Sequence, residues 1–101
     1  MKESNLKIRL YEERGPTSTF IDIEVDTDGN LVMSGQDLGK APSEYWGDSD
    51  YEYWIVVKKE QRDLLLLSLI QEMFGGSHDA FSRFREFLIE RGIRYDFDSW
   101  A

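Results

Sequence analysis

Two short stretches near the N-terminus alternate strictly between apolar and polar residues, and this pattern limits the possible folds more than any other. Residues 5–12 place Leu6, Ile8 and Leu10 on one face, and residues 19–26 alternate in the same way. A side-chain period of two is that of a β-strand with one buried face. Because Gly and Pro stand between the two stretches, we expect the strands to form a hairpin.

The register of this hairpin follows from the positions of its apolar residues. They are even-numbered in the first strand and odd-numbered in the second, so they share a face only if even-numbered residues pair with odd-numbered ones. With Arg14–Thr17 as a tight turn, Arg9 comes beside Asp22 and Lys7 beside Glu24, which predicts two cross-strand ion pairs. The apolar residues that then oppose one another are Leu6 and Val25, Ile8 and Ile23, and Leu10 and Ile21.

A second turn, Asp26–Asn30, predicts a third strand. Its glycine can adopt the positive φ that a type I turn followed by a bulge requires. We expect the third strand at residues 30–34, with Leu31 beside Val25. From residue 34 to residue 50 the alternation disappears among Gly, Pro and small polar residues, which predicts a long loop.

The next part of the chain begins with the strongest strand pattern and then changes its period. Residues 51–58 carry bulky side chains on both faces, which is typical of a central strand. Residues 60–74 follow the helical period, with an apolar stripe wide enough to contact a sheet and a second helix. Gly75 and Gly76 are expected to end this helix.

A second helix and a last strand complete the prediction. Ser77 is a suitable N-cap for the helix, and Gly92 is a suitable residue to end it. Residues 93–100 alternate once more, which predicts a final strand. The order β-β-β-loop-β-α-α-β predicts one α+β domain over residues 1–101, with a mainly antiparallel sheet of four to five strands and two helices packed on one face.

The acidic charge is concentrated in one part of the chain. The formal net charge is −8, and residues 20–52 hold nine acids and one base. A region of one sign attracts a partner of the opposite sign, whereas nucleic acid is bound by clustered basic residues. We therefore expect a basic protein partner and no nucleic acid. The alternative is that these carboxylates only keep the outer face of a sheet soluble and its edge unpaired.

Residues 45–54 combine aromatic and acidic side chains more densely than any other segment. Aromatic rings flanked by carboxylates suit an Arg or Lys side chain of another protein. The alternative is that these aromatic residues hold the loop against the core, with Trp54 packed inside the sheet. The candidate partner-binding residues lie in the segment from Asp22 to Tyr53 and are Asp22, Glu24, Glu44, Tyr45, Trp46, Asp48, Asp50 and Glu52.

Catalytic and metal chemistry have little support in the sequence. Residues 26–30 begin like a calcium loop, but the Gly and Glu that such a loop needs further on are absent, and a hairpin turn explains the same residues. His78 stands between Ser77 and Asp79, yet three adjacent residues cannot assemble a catalytic triad. The chain contains no Cys, which excludes disulfides and thiolate chemistry. We expect no enzymatic activity, no metal and no cofactor.

The sequence thus predicts a non-catalytic protein-binding domain, such as an inhibitor or immunity-like protein. One alternative is a small-molecule or carbohydrate-binding module built on Tyr45, Trp46, Tyr51 and Tyr53. Another is a homodimer, which the separation of acidic and basic regions along the chain favours. With no Cys and no stretch near the about 18 apolar residues of a membrane span, we expect a cytoplasmic protein that binds no membrane.

Overall fold

The computed structural model describes residues 6–39 and 50–100. Within them a four-stranded antiparallel sheet is followed by two helices, which confirms the predicted α+β class. The chain divides into two compact units, Met1–Asp63 and Leu64–Ala101. The elements are β1 (Lys7–Glu13), β2 (Thr17–Val25), β3 (Leu31–Gly39), β4 (Asp50–Val57), α1 (Lys59–Phe74) and α2 (Ala80–Glu90).

The predicted register of the first hairpin is confirmed through Arg9, which pairs with Asp22. Beyond Arg9 the register shifts, because Leu10 is left unpaired as a β-bulge and Tyr11 opposes Ile21 in its place. The connection to β2 is consequently longer than the predicted tight turn. The alternation of Leu6, Ile8 and Leu10 continues up to the bulged residue, so the sequence pattern alone did not reveal the bulge.

The third strand is longer than predicted. Val25 pairs with Leu31 as expected, but β3 continues through Gly39, which pairs with Thr17. The alternation is hidden there because residues 34–39 include two glycines and polar side chains on both faces. The predicted loop at 34–50 therefore begins too early, and residues 40–49 lie outside the described part of the chain.

The prediction that the strand at residues 51–58 is central was wrong. The strands of the described sheet lie in chain order, so β4 is at the edge and pairs with β3 alone. Side chains on both faces of β4 are exposed: Trp54 on one face is 60% exposed, and Ile55 on the other is 64% exposed. Bulky residues on both faces are typical of a strand that is buried on both faces, but they do not determine its place in the strand order, and here β4 is at the edge.

Tyr53 of β4 packs across a glycine in the middle of the sheet. Its cross-strand partner is Gly35, which is buried, and a Cβ atom on Gly35 would overlap the Tyr53 ring. The Tyr53 hydroxyl donates a hydrogen bond of 3.2 Å to Asp37 Oδ1, which also accepts one of 2.9 Å from Thr19 Oγ1. Burial and the neighbouring Asp37 carboxylate raise the pKa of Tyr53.

The turn between β2 and β3 holds the first turn of α1. Gly29 has φ of +84°, as predicted, and its carbonyl oxygen accepts a hydrogen bond of 2.6 Å from Arg62 Nη1. Asn30 Oδ1 accepts one of 2.9 Å from the backbone N–H of Lys59. This bond satisfies one of the N–H groups that a helix start leaves without an intrahelical partner. The helix starts one residue before the predicted position and ends as predicted.

In the second unit, the ring of Phe74 is the centre of an aromatic cluster. Phe74 is 8% exposed, and its ring meets those of Phe84 and Phe87 edge to face at centroid distances of 5.5 Å and 6.0 Å. It is the one large hydrophobic residue buried in the described part of the chain. None of the helices in that part is long and apolar enough to cross a membrane.

The start of α2 differs from the prediction, whereas its end agrees. The helix begins at Ala80 with Asp79 as N-cap residue, because the Ser77 hydroxyl donates to the Asp79 carboxylate and caps no backbone N–H. Gly92 has φ of +67°, and its N–H donates to the carbonyl oxygen of Ile89 at 3.1 Å. Gly92 therefore ends the helix as expected.

The predicted final strand was wrong, since residues 93–100 form none. Their aromatic side chains contact α2 instead: Arg85 lies 4.4 Å above the Phe97 ring and donates a hydrogen bond of 3.0 Å to the Tyr95 hydroxyl. Phe81 and Phe97 meet at 6.1 Å. The described sheet therefore has four strands, and the packing of both helices on one face, like the single domain, stays a prediction.

We predict that Gly35→Ala destabilises the protein, because the added Cβ overlaps the Tyr53 ring. Overpacking of this kind costs about 1–3 kcal/mol of the free energy of unfolding, which urea titration measures. Ser34→Ala, at the adjacent position on the other face, is the control. In a Tyr53→Ala background the Gly35→Ala effect should largely disappear, and an undiminished effect would contradict the overlap.

Candidate partner-binding surface on the polar face of the sheet

Strand alternation places the described candidate residues on one side of the sheet. Asp22 and Glu24 of β2 share a face with Asp50 and Glu52 of β4. The register sets Asp22 opposite Ser34 of β3 and Glu52 opposite Gln36, and these two β3 residues, two positions apart, point to the same side. We call this side the polar face, and it also bears Trp54. The other four candidates lie outside the described residues: Glu44, Tyr45, Trp46 and Asp48.

The acidic and aromatic residues of the predicted segment are separated by this alternation. Tyr51 and Tyr53 lie on the opposite, apolar face, with ring centroids 5.4 Å apart. Among the described aromatic residues of β4, Trp54 alone shares the polar face with Asp50 and Glu52. The structure thus brings together the four described acids of the predicted site and assigns Tyr51 and Tyr53, of the alternative ligand-binding module, to the other side.

Two of the predicted acids are neutralised by bases from β1. Arg9 Nε lies 2.5 Å from Asp22 Oδ1, and Lys7 Nζ lies 3.8 Å from Glu24 Oε1. Both ion pairs were predicted from the register and are confirmed. The hydrogen bond with Asp22 is the main reason that the pKa of Arg9 is raised. These two carboxylates therefore contribute less to the attraction of a foreign base.

Arg9 also belongs to a cluster that sequence reasoning did not find. Glu12 Oε1 and Oε2 accept hydrogen bonds of 2.6 Å each from Arg9 Nη1 and Arg14 Nε. The two guanidinium groups lie 5.1 Å from the centroid of the Phe20 ring. The pKa of Glu12 is lowered, mainly by its hydrogen bond from Arg14. We call these four residues the Arg–Phe cluster.

The two acids of β4 have a different environment. The amide Nε2 of Gln36 lies 3.4 Å from Asp50 Oδ1 and 3.3 Å from Glu52 Oε2. Over residues 6–39 and 50–100, no Lys or Arg forms an ion pair with either carboxylate. Since an amide is neutral, the negative charge of this pair is not compensated by its described neighbours. Trp54, 60% exposed, is on the same face of the same strand.

A shallow groove of about 410 Å³ runs between the Arg–Phe cluster and β4. Sequence reasoning did not find this groove, since it assigned Arg14 to a turn and Gly35 and Gln36 to a loop. Phe20 was the available signal, because it is an apolar residue at a polar-face position of β2. The residues that line the groove are Lys7, Arg9, Arg14, Phe20, Asp22, Ser34, Gly35, Gln36, Glu52 and Trp54.

The groove carries charge of both signs, with Lys7, Arg9 and Arg14 on one side and Glu52 on the other. The β4 side offers carboxylates and an exposed indole, which attract guanidinium and ammonium groups. In the part of the chain that the structure describes, no three Asp, Glu or His side chains converge as metal ligands would.

The lowered pKa of Glu12 predicts a loss of stability in acid. A carboxyl group whose pKa is lower in the folded protein stabilises the fold above its ordinary pKa of 4.5, and this contribution is lost as the pH falls through the folded value. We expect Glu12→Gln to lower the free energy of unfolding at neutral pH. The difference in this free energy between variant and wild type should shrink as the pH falls through the lowered pKa of Glu12 in the folded protein. Urea titrations over a pH series measure it.

Glu90→Gln, on the exposed surface of α2, is the control for this series and should track the wild type throughout. A Glu12→Gln difference that stays constant from neutral to strongly acidic pH would contradict an ionised Glu12 as the cause.

Comparison with protein-family models, with curated proteins and with solved structures found no match. The chemistry of the polar face is therefore the basis on which a function can be assigned.

Proposed function

We propose that this protein is a non-catalytic protein-binding domain that captures a basic partner through β4. The observation that carries the proposal is the environment of Asp50 and Glu52. Their one described hydrogen-bond donor is the neutral amide of Gln36, and an exposed Trp54 lies on the same face. A basic side chain placed there gains charge pairing and contact with an indole ring.

The position of β4 at the edge of the described sheet supports strand addition as the mode of binding. An edge strand presents backbone N–H and C=O groups that an extended segment of another protein can pair with. Alternate side chains of the added strand then lie on the polar face. A segment with Lys or Arg at every second position would pair with the β4 backbone and meet Asp50 and Glu52 together.

The other edge is a poorer site for such a partner. On the polar face near β1, Glu24 and Asp22 are already paired with Lys7 and Arg9, so a basic segment would gain less charge pairing there than at β4. The bulge at Leu10 also interrupts the regular spacing of its backbone groups. Charge and regularity both favour β4.

A small inhibitor or immunity-like protein would act in this way, by occupying the surface of a cationic protein. We propose the cytoplasm as its location, since a chain with no Cys gains nothing from an oxidising compartment. The alternative of a ligand-binding module has less support, because the Tyr53 ring already packs on Gly35 and its hydroxyl bonds to Asp37.

The proposal predicts that reversing the β4 charges abolishes capture of the partner. The immobilised wild type is exposed to a lysate of the source organism at about 50 mM salt, and the proteins that are retained at about 50 mM but released at about 500 mM are identified by mass spectrometry. The partner is then purified and titrated calorimetrically. We expect Asp50→Lys with Glu52→Lys to weaken its binding at least about tenfold and to flatten the salt dependence.

Glu86→Lys with Glu90→Lys is the matched control, because it changes the net charge equally on α2. This variant should bind the purified partner nearly as well as the wild type. Equal affinity of the β4 variant and the wild type, or equal losses in both variants, would contradict a specific role of β4.

Trp54→Ala tests the aromatic part of the proposal separately. A central, exposed indole that stacks on a basic side chain is typical of an interaction hot spot, so we expect a loss of about 2 kcal/mol in binding free energy. Since the indole is neutral, the salt dependence of binding should stay as in the wild type. An unchanged affinity in the calorimetric titration would exclude Trp54 from the interface.

A further inference from the structure

One side of α1 carries exposed apolar residues at regular spacing. Leu66, Leu69 and Met73 are 54%, 50% and 51% exposed, so about half of each side chain faces outward. They stand three and four residues apart and form one stripe along the helix, which we call the leucine seam. Phe74, on a different side of the same helix, is buried against the aromatic rings of α2.

We propose that the leucine seam is a homodimer contact, in which α1 of a second copy packs antiparallel against it. The spacing indicates a helix as the occupant. Side chains that alternate three and four residues apart are the pattern by which one helix inserts its side chains between those of another. With Leu66 opposite Leu69 of the second copy, the seam is continuous and self-complementary.

Charge complementarity at the ends of the seam favours a second copy in the antiparallel direction. One turn before Leu66 stands Arg62, and next to Met73 stands Glu72. The antiparallel pairing brings Arg62 of one chain beside Glu72 of the other, twice in a symmetric dimer. A parallel pairing would instead place Arg62 against Arg62. The Arg62 guanidinium has five N–H donors and uses one of them for its hydrogen bond to Gly29, so it can also donate to Glu72 of the second copy.

The size of the seam sets the expected strength of the dimer. A helix of 16 residues is about 24 Å long, and roughly a third of its accessible side surface is about 300 Å². Two copies therefore bury about 600 Å² through the seam, which is less than the about 1,000 Å² that a stable specific interface buries and is the size of a weak contact. We accordingly expect a dimer whose population depends on protein concentration in the micromolar range, and not a permanent one.

The test measures the mass of the whole chain by light scattering from about 1 µM to about 500 µM. We expect the wild type to rise from the mass of one chain towards that of two. Leu66→Glu with Leu69→Glu should stay at the mass of one chain, while Gln71→Glu, on the opposite side of α1, should follow the wild type. Wild type at the mass of one chain throughout would overturn the proposal and indicate that another occupant covers the seam.

Cross-linking keeps the test independent of whether the double variant folds. Because the chain contains no Cys, Leu69→Cys introduces a single thiol near the proposed two-fold axis. Under mild oxidation it should form a disulfide-linked dimer at least about tenfold faster than Gln71→Cys. Equal cross-linking rates for the two variants would show that the dimer contact lies elsewhere and would overturn the proposal.

A charge exchange tests the direction of pairing. Arg62→Glu and Glu72→Arg should each weaken the dimer, because each brings like charges together across the seam. The combined variant restores opposite charges and should recover the wild-type dissociation constant within about threefold. A combined variant weaker than both single variants would overturn the antiparallel arrangement.

Discussion

The pairing of β3 with β2 on one side and β4 on the other is the constraint on which the rest of the sheet depends. It aligns Gly35 with Tyr53, and the missing side chain of this glycine leaves the space that the tyrosine ring occupies. The same register fixes which carboxylates meet a base. Asp22 falls opposite Arg9, whereas Glu52 falls opposite the neutral Gln36. Among the described residues, charge on the polar face is thus compensated on the β1 side and not on the β4 side.

Local patterns were sufficient for much of this fold. The parity of the apolar residues predicted the pairing of Arg9 with Asp22 and of Val25 with Leu31, because a shift of one residue would turn an apolar set to the wrong face. Both helices were also predicted nearly to their ends, since Gly92 and the preceding glycine pair are unambiguous stops.

The errors have a common physical origin in contacts between distant residues. No local rule indicates that Leu10 bulges, or that Phe97 packs against Arg85 of α2 instead of joining a strand. Of the candidate site, the acidic residues on β2 and β4 could be predicted from charge. Their unequal compensation could not, because it depends on Gln36, a residue that the pattern assigned to a loop.

The two edges of the described sheet differ in regularity, and this limits how such molecules can assemble. A chain with two equivalent open edges can add a neighbour at each, and the contact then repeats without closing into an open filament. Here the bulge at Leu10 distorts one edge and leaves β4 as the regular one. A neighbour that added its strand at β4 would therefore not be followed by a second one at β1, so the opposite edge would limit such a complex to one neighbour for each chain.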